Sequence, residues 1–372
     1  MRHSGHQPDY FLITIIALII IFGLVMLSSA SSVVAFQKFG DANYYLKKQL
    51  ISFVLGIFAF FFMSKIDYRY WKRFAFPMMI ITIILLISVF IPGIGTGLLG
   101  AKRWVTLGPI FFQPSEIVKV TFLIYLATWL EKRGEGIKDI SAGFLPFVII
   151  LVIIAILVMS QPDLGTMIVI AIIAMSSYLV AGAPVAHIFW LGLGAAGSIF
   201  ALIKIAPYRM ERFTVFLNPE LDPQGIGYHI NQALLAIGSG GLLGLGLGHS
   251  RQKFNYLPQA SSDSIFAIIA EELGFIFVVL LIFLFLLFMF RGFKIARAAP
   301  DKYGKIMAAG ITAWFTFQAL INIGSMTSVL PLTGIPLPFI SAGGTALVVS
   351  MAAIGILMNI SRQTKEERSF WR

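Results

Sequence analysis

The sequence predicts an all-α integral membrane protein, and its composition and apolar patterning support that class. Of the 372 residues, 58% are hydrophobic and only 12% are charged, with a mean hydropathy of +0.89, which is far more apolar than a soluble domain. Apolar runs long enough to cross a hydrocarbon core of about 30 Å recur along the chain. No separate water-soluble domain is visible, so residues 1–372 are expected to form a single polytopic membrane domain.

The apolar runs predict ten transmembrane helices. The first run, residues 11–33, lacks the small-residue cleavage site of a signal peptide and is expected to be a retained span. Further charge-poor runs follow at residues 49–64, 74–92, 114–130, 140–160, 164–203, 273–290 and 306–360. The run 164–203 holds an AGAP turn at 181–184, and the run 306–360 is broken by three prolines. Each of these two runs therefore makes two spans.

The distribution of basic residues predicts the orientation of these helices. An even number of spans puts both termini on one side of the membrane. With both termini in the cytoplasm, the inner segments carry 17 Lys and Arg residues and the outer segments carry 10, as the positive-inside rule expects. This asymmetry also explains the net charge of +11, so that nucleic-acid binding is not needed to account for it. The long segment 205–262, between helices 7 and 8, then forms a large extracytoplasmic loop.

The residue types exclude or disfavour several kinds of site. Cysteine is absent, which excludes disulfides, thiol ligands and thiol nucleophiles. The five histidines lack metal-ligand spacing, and no GxSxG motif is present, so neither a metal site nor serine hydrolysis is predicted. The glycine-rich stretch 238–248 lacks the GK[ST] ending of a nucleotide loop and follows no strand. Residues 231–247 are apolar but too rich in glycine for a firm span, and are expected to lie in the interface or to re-enter the membrane.

Two polar groups lie near the outer ends of the predicted helices. In the segment GAKRWVTLGPIFFQPSEIVKV, Lys102 and Arg103 precede an amphipathic turn and a helix that opens at Pro114. Glu116 and Lys119 are three residues apart on that helix, where they can pair. The pair either fixes helix packing or shapes a polar cavity, since an unpaired charge there is costly.

Asp163, in the motif SQPDLGT, is the second polar group. It is well placed for the first turn of a helix, where a carboxylate meets the positive end of the helix dipole. This helix-start role explains the residue by itself, and a role in lining a site is the alternative.

The outer loop ends in an acidic residue at the boundary of the next helix. The loop carries cationic groups that could hold an anionic headgroup; they are Arg209, Arg212, His229, His249, Arg251 and Lys253. A helix that starts near Ser262 would put Asp263 and Glu271 on one face and Glu272 on the opposite face. Asp263 is either an N-terminal helix residue that follows the serine caps or a functional acid at the membrane boundary.

Five blocks of the sequence resemble the signature blocks of the SEDS family (shape, elongation, division and sporulation). They are the GAKRWVTLGPIFFQPSEIVKV and SQPDLGT segments, FLNPELDPQGIGYHINQALLAIGSGGLLGLGLG, YLPQASSDSIFAIIAEELG and PLTGIPLPFISAGGTAL. The blocks follow the family order over almost the whole chain. The early segment SASSVVAFQKFGDANYYLKKQL and the ending NISRQTKEE are more similar to the FtsW branch than to the RodA branch.

The resemblance implies a peptidoglycan glycosyltransferase that polymerises lipid II on the outer face of the bacterial plasma membrane. It assigns the family's essential acid to Asp263. Since the α-linked donor would give a β-linked product, we expect this residue to act as the general base of an inverting sugar transfer. It maps the family's other charged positions to Glu116, Lys119, Asp163 and Glu271. The residues that flank the acid here, QASSD, depart from the family's more usual EAHTD.

The same resemblance implies the partners, and the chemistry of the reaction calls for cations beside the leaving pyrophosphate. Arg103, Arg212 and Lys253 are the candidate cations, and a divalent cation is a candidate cofactor that the sequence does not show. The expected partners are lipid II, membrane lipid and a class B penicillin-binding protein transpeptidase. Two other functions stay open, a lipid II flippase, which intramembrane charges suit equally well, and a scaffold that recruits the transpeptidase.

Overall fold

The computed structural model describes residues 7–98, 101–108, 110–205, 214–216, 218, 222 and 225–364. The described chain is almost entirely helical, with one small antiparallel sheet. The α-helices are α1 (Tyr10–Phe39), α2 (Tyr44–Lys65), α3 (Ala75–Ser88), α4 (Pro114–Arg133), α5 (Leu145–Met159), α6 (Leu164–Val180), α7 (Val185–Ile205), α8 (Ile226–Ser239), α9 (Ile265–Ala298), α10 (Lys302–Met326) and α11 (Gly344–Ser361). A 3-10 helix (Tyr68–Phe74) precedes α3, and a second (Gly134–Lys138) and a π turn (Ile140–Phe144) precede α5.

Every apolar run in the sequence contains a helix. Within the residues that the structure describes, seven helical segments are long and apolar enough to cross a membrane, namely α1, α2, the 3-10 helix with α3, the π turn with α5, α9, α10 and α11. Helices α6 and α7 are shorter apolar helices, and α4 carries Glu116 and Lys119 in its interior. The AGAP residues form the turn between α6 and α7, and the proline-containing segment 327–343 separates α10 from α11, as predicted.

Side-chain caps begin several of these helices. The carboxylates of Asp9, Asp163 and Asp301 accept hydrogen bonds from the backbone N–H three residues later, at α1, α6 and α10. Pro114 occupies the first turn of α4, where the missing N–H costs no helical hydrogen bond. These helix starts are specified locally and agree with the sequence prediction.

Helices α10 and α11 form the centre of the bundle. In their most apolar stretches 78% and 72% of the residues are buried, against 11% in α2. Trp314 and Phe315 of α10 are fully buried and stack with ring centroids 4.5 Å apart. The exposed apolar side chains of α2, α3 and α9 form the periphery, which suits a bundle surrounded by lipid.

The segment around Arg103 is a sheet and not the amphipathic turn that the sequence predicted. Three antiparallel strands have the order β1 (Gly95–Leu98), β2 (Ala101–Leu107) and β3 (Ile110–Phe112). Val105 pairs with Gly95 on one side and with Phe112 on the other. Trp104 and Phe111 stack across the sheet with ring centroids 4.6 Å apart. The side chains alternate along β2, so cross-strand packing favours a strand over a turn.

The glycine-rich loop that follows α8 packs against a break in α9. Gly274 has φ 77° and ψ −177°, which interrupts the helical hydrogen bonds of α9. The loop replaces them: N–H groups of Leu245 and Gly246 donate to the carbonyls of Glu271 and Glu272 at 3.0 and 2.9 Å. The N–H of Phe275 donates back to the carbonyl of Gly241 at 2.9 Å. Residues 231–247 therefore form the end of α8 and a tight loop, which pairs with the broken helix.

Candidate active site

Asp263 lies in a turn, two residues before helix α9, and not on the helix itself. Helix α9 begins at Ile265 with Ser264 as its N-cap residue, and residues 251–264 form consecutive turns. The prediction of a helix that starts near Ser262 is therefore wrong, and with it the shared helical face of Asp263 and Glu271. The backbone N–H groups of Ser262 and Ser264 donate instead to the carbonyl of Gln259, at 2.9 and 3.3 Å, which closes a turn around the acid.

Three consecutive carbonyls of this turn accept hydrogen bonds from distant parts of the chain. The carbonyl of Ser261 accepts from the N–H of Ala342 at 2.9 Å, and that of Ser262 accepts from the hydroxyl of Ser341 at 2.6 Å. The carbonyl of Asp263 accepts from the side-chain amide of Asn322, on α10, at 2.8 Å. We call these three contacts the carbonyl clamp. It fixes the backbone of the acidic turn against the segment that follows α10.

That segment, residues 331–343, also lies against the carboxylate of Asp263. Gly334 has φ +69°, and a Cβ atom at this position would lie 3.3 Å from Oδ2 of Asp263. Gln49 of α2 holds the far end of the segment, since its amide donates to the carbonyl of Ser341 at 3.3 Å and accepts from the N–H of Gly343 at 3.1 Å. The segment 331–343 thus connects α2 and α10 to the acidic turn.

A histidine of helix α8 contacts the same turn. Nε2 of His229, on α8, lies 2.6 Å from Oγ of Ser264. The Ser264 hydroxyl donates to the carbonyl of Pro258 at 2.9 Å, so the His229 ring donates to Ser264. Helix α8 is therefore tied to the residue next to Asp263.

Asp163 and Arg103 lie at the start of α6, which also contacts the segment 331–343. Asp163 is the N-cap of α6, is 5% exposed, and accepts from the Thr166 N–H at 3.1 Å and the Thr166 hydroxyl at 2.8 Å. Gly165 packs closely on Ile335, since a Cβ atom there would lie 2.7 Å from the Ile335 side chain. The helix-start role of Asp163 is thus present in the structure, and the contact of Gly165 with Ile335 brings the start of α6 to the same segment as Asp263.

Arg103 links strand β2 to the start of α6. Its Nε donates to the carbonyl of Gln161 at 3.2 Å, and its Nη2 donates to the carbonyl of Pro162. Nη1 lies 3.9 Å from Oδ1 of Asp163, and the side chain is 33% exposed. This geometry leaves one edge of the guanidinium toward solvent, where it can contact an anion.

Glu116 and Lys119 form the pair that their spacing predicts. Nζ of Lys119 lies 2.8 Å from Oε1 of Glu116, and the side chains are only 3% and 6% exposed. The ammonium also lies 4.9 Å from the centre of the Trp314 ring. Trp314 donates to Gln318, whose amide donates to the carbonyl of Pro336 at 2.9 Å. The buried pair is thus linked through Trp314 and Gln318 to the segment 331–343.

Glu271 and Lys253 hold residues 248–253 on α9. The carboxylate of Glu271, 1% exposed, accepts from the Ser250 hydroxyl and from the Arg251 N–H at 2.9 Å. Lys253, 4% exposed, donates to Glu272 at 2.9 Å and to the carbonyl of Gly248 at 2.7 Å. The helical-wheel argument predicted that Glu272 points away from Glu271, and this prediction is wrong. The loop packs against α9 at the break of Gly274, so that its residues Ser250 and Lys253 contact the two carboxylates.

Other predicted site features have different outcomes. Arg212 lies outside the described residues. Among the described residues, no group of three or more His, Asp and Glu side chains is arranged to hold a metal ion, and the divalent cation stays a prediction.

The sequence prediction missed Asn322, Ser341 and Gln49, because it considered ionisable groups. The available signal was a polar side chain inside or beside an apolar run, which is costly to bury without partners.

The chain matches the family described as "Cell cycle protein", FtsW/RodA/SpoVE, over residues 9–366. Stage V sporulation protein E of Bacillus subtilis (strain 168) is 42% identical over 365 residues, which cover 98% of this chain and all of that protein. The probable peptidoglycan glycosyltransferase FtsW of Trichlorobacter lovleyi is 40% identical over 359 residues, which cover 96% and 94% of the two chains.

Solved structures are similar to this fold along almost its whole length. A chain from the study "Structural coordination of polymerization and crosslinking by a peptidoglycan synthase complex" matches with a TM-score of 0.79 at 28% identity, covering 95% of this chain and 98% of its own. The rod shape determining protein RodA of Thermus thermophilus matches with a TM-score of 0.70 at 27% identity, covering 97% and 98%.

Proposed function

The chain belongs to the FtsW/RodA/SpoVE family of cell cycle proteins, and from this premise we propose that it polymerises lipid II into β-1,4-linked glycan strands. It is a multi-pass membrane protein with a glycosyltransferase role in cell wall synthesis, consistent with relatives named peptidoglycan glycosyltransferase FtsW. The site of action in this proposal is the outer face of the bacterial plasma membrane, in cell division or in the maintenance of cell shape.

The proposed topology has ten membrane crossings, with both termini in the cytoplasm. Its support is that each of the predicted runs contains a helix, and that basic residues are more numerous in the segments assigned to the cytoplasm. In this topology the loop 205–262, the acidic turn and the segment 331–343 all lie on the outer side. A polymer made there is delivered outside the cell.

Asp263 is the general base in the proposed reaction. The observation that carries this role is the carbonyl clamp, which holds an acidic turn rigidly beside the glycine-containing segment 331–343. The 4-hydroxyl of the acceptor GlcNAc attacks the anomeric carbon of a lipid-linked MurNAc, and its proton passes to the Asp263 carboxylate. The bond from that carbon to the pyrophosphate breaks, and undecaprenyl pyrophosphate leaves. The α-linked donor becomes a β-linked product, so the reaction inverts and needs one base.

Arg103 is the best supported of the three cations proposed for the leaving pyrophosphate. It lies beside Asp163 and keeps part of its guanidinium exposed. Lys253 is less suited, because Glu272, Gly248 and Ser29 already accept from its ammonium at 2.9, 2.7 and 3.2 Å. A divalent cation could supply further charge to the leaving group when bound.

A class B penicillin-binding protein transpeptidase is the proposed protein partner. The support is the similarity to a chain from a peptidoglycan synthase complex that coordinates polymerization and crosslinking. A scaffolding role in such a complex is compatible with catalysis by this chain.

Polymerisation of purified lipid II by the purified protein tests the proposal, with Asp263→Asn beside the wild type. We expect glycan chains from the wild type, and a rate lower by about 100-fold to 10,000-fold for Asp263→Asn, because the base is lost. Unchanged synthesis by Asp263→Asn would remove the base assignment. The assay is run with and without a cognate transpeptidase, so that dependence on the partner is separated from loss of the base.

A flipping assay in reconstituted vesicles separates the flippase from the polymerase. The polymerase proposal expects lipid II polymerisation, and no change of transbilayer movement on Asp263→Asn. Transbilayer movement by a protein that forms no glycan would favour the flippase instead.

A further inference from the structure

We propose that Asn322 is a positioning residue for Asp263, and this inference rests on the proposed role of Asp263 as the base. Asn322 lies on α10, 59 residues from Asp263 along the chain, and is 1% exposed. Its Nδ2 donates to the carbonyl of Asp263 at 2.8 Å and to the carbonyl of Ile335 at 2.7 Å. One amide therefore joins the backbone of the acid to the segment that faces it.

Both hydrogens of the Asn322 amide are used in this bridge. An NH₂ group has two donors, and the two carbonyls accept one each. The Oδ1 atom is buried and has no hydrogen-bond partner. Two acceptors at the nitrogen and none at the oxygen fix the orientation of the amide, and indicate that the side chain serves as a double donor. Burial of the unpartnered Oδ1 is unfavourable, so stability alone does not explain why an amide occupies this place.

The bridge determines the geometry between Asp263 and Gly334. Gly334 directly precedes Ile335, and a Cβ atom on it would lie 3.3 Å from Oδ2 of Asp263. When Asn322 holds the carbonyls of residues 263 and 335, it also holds the carboxylate at a defined distance from the backbone of residue 334. A base must lie within hydrogen-bond reach of the proton that it removes, so a shift of about 1 Å can lower the rate by about 100-fold.

The other two contacts of the carbonyl clamp lie farther from the carboxylate. Ala342 and Ser341 hold the carbonyls of Ser261 and Ser262, whereas Asn322 holds the carbonyl of the acid itself. Asn322 is also the member that belongs to the buried central helix α10. Through this hydrogen bond, helix α10 restrains the backbone of Asp263.

Ser325 provides a matched control on the same helix. It lies almost one turn after Asn322, is 4% exposed, and its hydroxyl donates to the carbonyl of Pro331 at 3.0 Å. Ser325→Ala therefore removes a buried donor to the same segment and leaves the contact to Asp263 in place. Asn322→Leu has a similar volume to the native residue and removes both bridging hydrogen bonds.

A double-mutant cycle with Asp263→Glu distinguishes positioning from a general effect on folding. We expect Asn322→Leu to lower kcat for lipid II polymerisation by about 10-fold to 100-fold with little change in KM, and Ser325→Ala to lower it by less than about 3-fold. In the Asp263→Glu background, where the carboxylate is already displaced, we expect Asn322→Leu to cost less than about 3-fold. A smaller fraction of folded protein would instead lower the rate by the same factor in both backgrounds, and that result would overturn the proposal.

Hydrogen exchange gives a second readout that does not depend on activity. We expect Asn322→Leu to speed amide exchange in residues 259–264 while α10 stays protected, and Ser325→Ala to leave residues 259–264 unchanged. Unchanged exchange in the acidic turn of Asn322→Leu, or faster exchange along all of α10, would also overturn the proposal. The wild type and Asp263→Asn are measured in the same polymerisation assay. An inactive wild type, or an active Asp263→Asn, would count against the proposed function and not against the bridge.

Discussion

Lys119 and Glu116 form an ion pair inside helix α4, with Nζ 2.8 Å from Oε1 and side chains only 3% and 6% exposed. The Lys119 ammonium lies over the face of the Trp314 ring, and Trp314 connects through Gln318 to the segment that faces Asp263. The arrangement serves helix packing and also supports the site. A comparison of variants that lack one charge with a variant that lacks both charges distinguishes these two roles.

Glu116→Gln or Lys119→Met alone should lower the free energy of unfolding by about 3–5 kcal/mol, because the remaining charge is buried without its partner. The double variant should recover most of this loss. Thermal unfolding in detergent measures the effect, and the exposed pair of Glu135 and Lys138 provides the control, since Glu135→Gln should leave the midpoint unchanged.

Lipid II polymerisation by the same double variant then assigns the role of the pair. Recovery of both stability and activity would indicate an ion pair that only fixes packing. Recovery of stability without activity would support a direct role in the polar cavity. We expect the first outcome, because the pair is almost fully buried and is linked to the segment that faces Asp263 through Trp314 and Gln318.

Lys253→Met should lower both stability and polymerisation, because it leaves the buried Glu272 carboxylate without its cation. In the double variant Lys253→Met/Glu272→Gln no uncompensated charge remains, and Ser29 can still donate to residue 272. We expect both properties to return, as measured by thermal unfolding and by polymerisation. A stable double variant with a raised KM for lipid II would show instead that Lys253 binds the substrate.

Gly274→Ala should prevent α9 and the glycine-rich loop from packing. At φ 77° and ψ −177° a residue with a Cβ atom costs about 1–3 kcal/mol, and this Cβ would also lie 2.3 Å from the backbone N of Gly244. We expect a lower unfolding midpoint and a lower yield of folded protein. Gly238→Ala is the control, because a Cβ atom there meets no atom within 4 Å and residue 238 lies in helix α8. Equal midpoints for the two variants would contradict the role of Gly274.

Asp301, the N-cap residue of α10, should make stability depend on pH. Burial raises the pKa of this carboxyl, but hydrogen bonds from the Gly304 N–H, Tyr68 and Arg69, with the Arg69 charge, outweigh it and hold the pKa below its ordinary value of 3.8. A lowered folded-state pKa stabilises the fold above the unfolded pKa, and this contribution is lost as the pH falls through the folded pKa.

Asp301→Asn tests this dependence. It should lower the unfolding midpoint at neutral pH, and the difference from the wild type should shrink as the pH falls below about 4. Thermal unfolding in detergent across this pH range measures both changes. A difference that stays constant with pH would show that the charge of Asp301 contributes nothing.

The sequence was sufficient to predict a helix in each long apolar run, because length, apolarity and turn signals act locally. The runs at 164–203 and 306–360 divide where AGAP and the prolines indicated, and Pro114 begins α4. Glu116 and Lys119 pair because residues three apart share a helix face. The start of α9 was predicted wrongly, since Ser261 and Ser262 give a local cap signal, whereas their carbonyls bond to residues about 80 positions away.

The surroundings of Asp263 could not be read from local sequence. Its carbonyl meets an amide on α10, its carboxylate meets Gly334, and its neighbour Ser264 meets His229. These contacts join segments that are far apart along the chain, so no periodic pattern records them. Helix positions follow from side-chain pattern and turn signals, whereas the placement of one acid depends on how three helices and two loops pack together, and only the folded chain determines that.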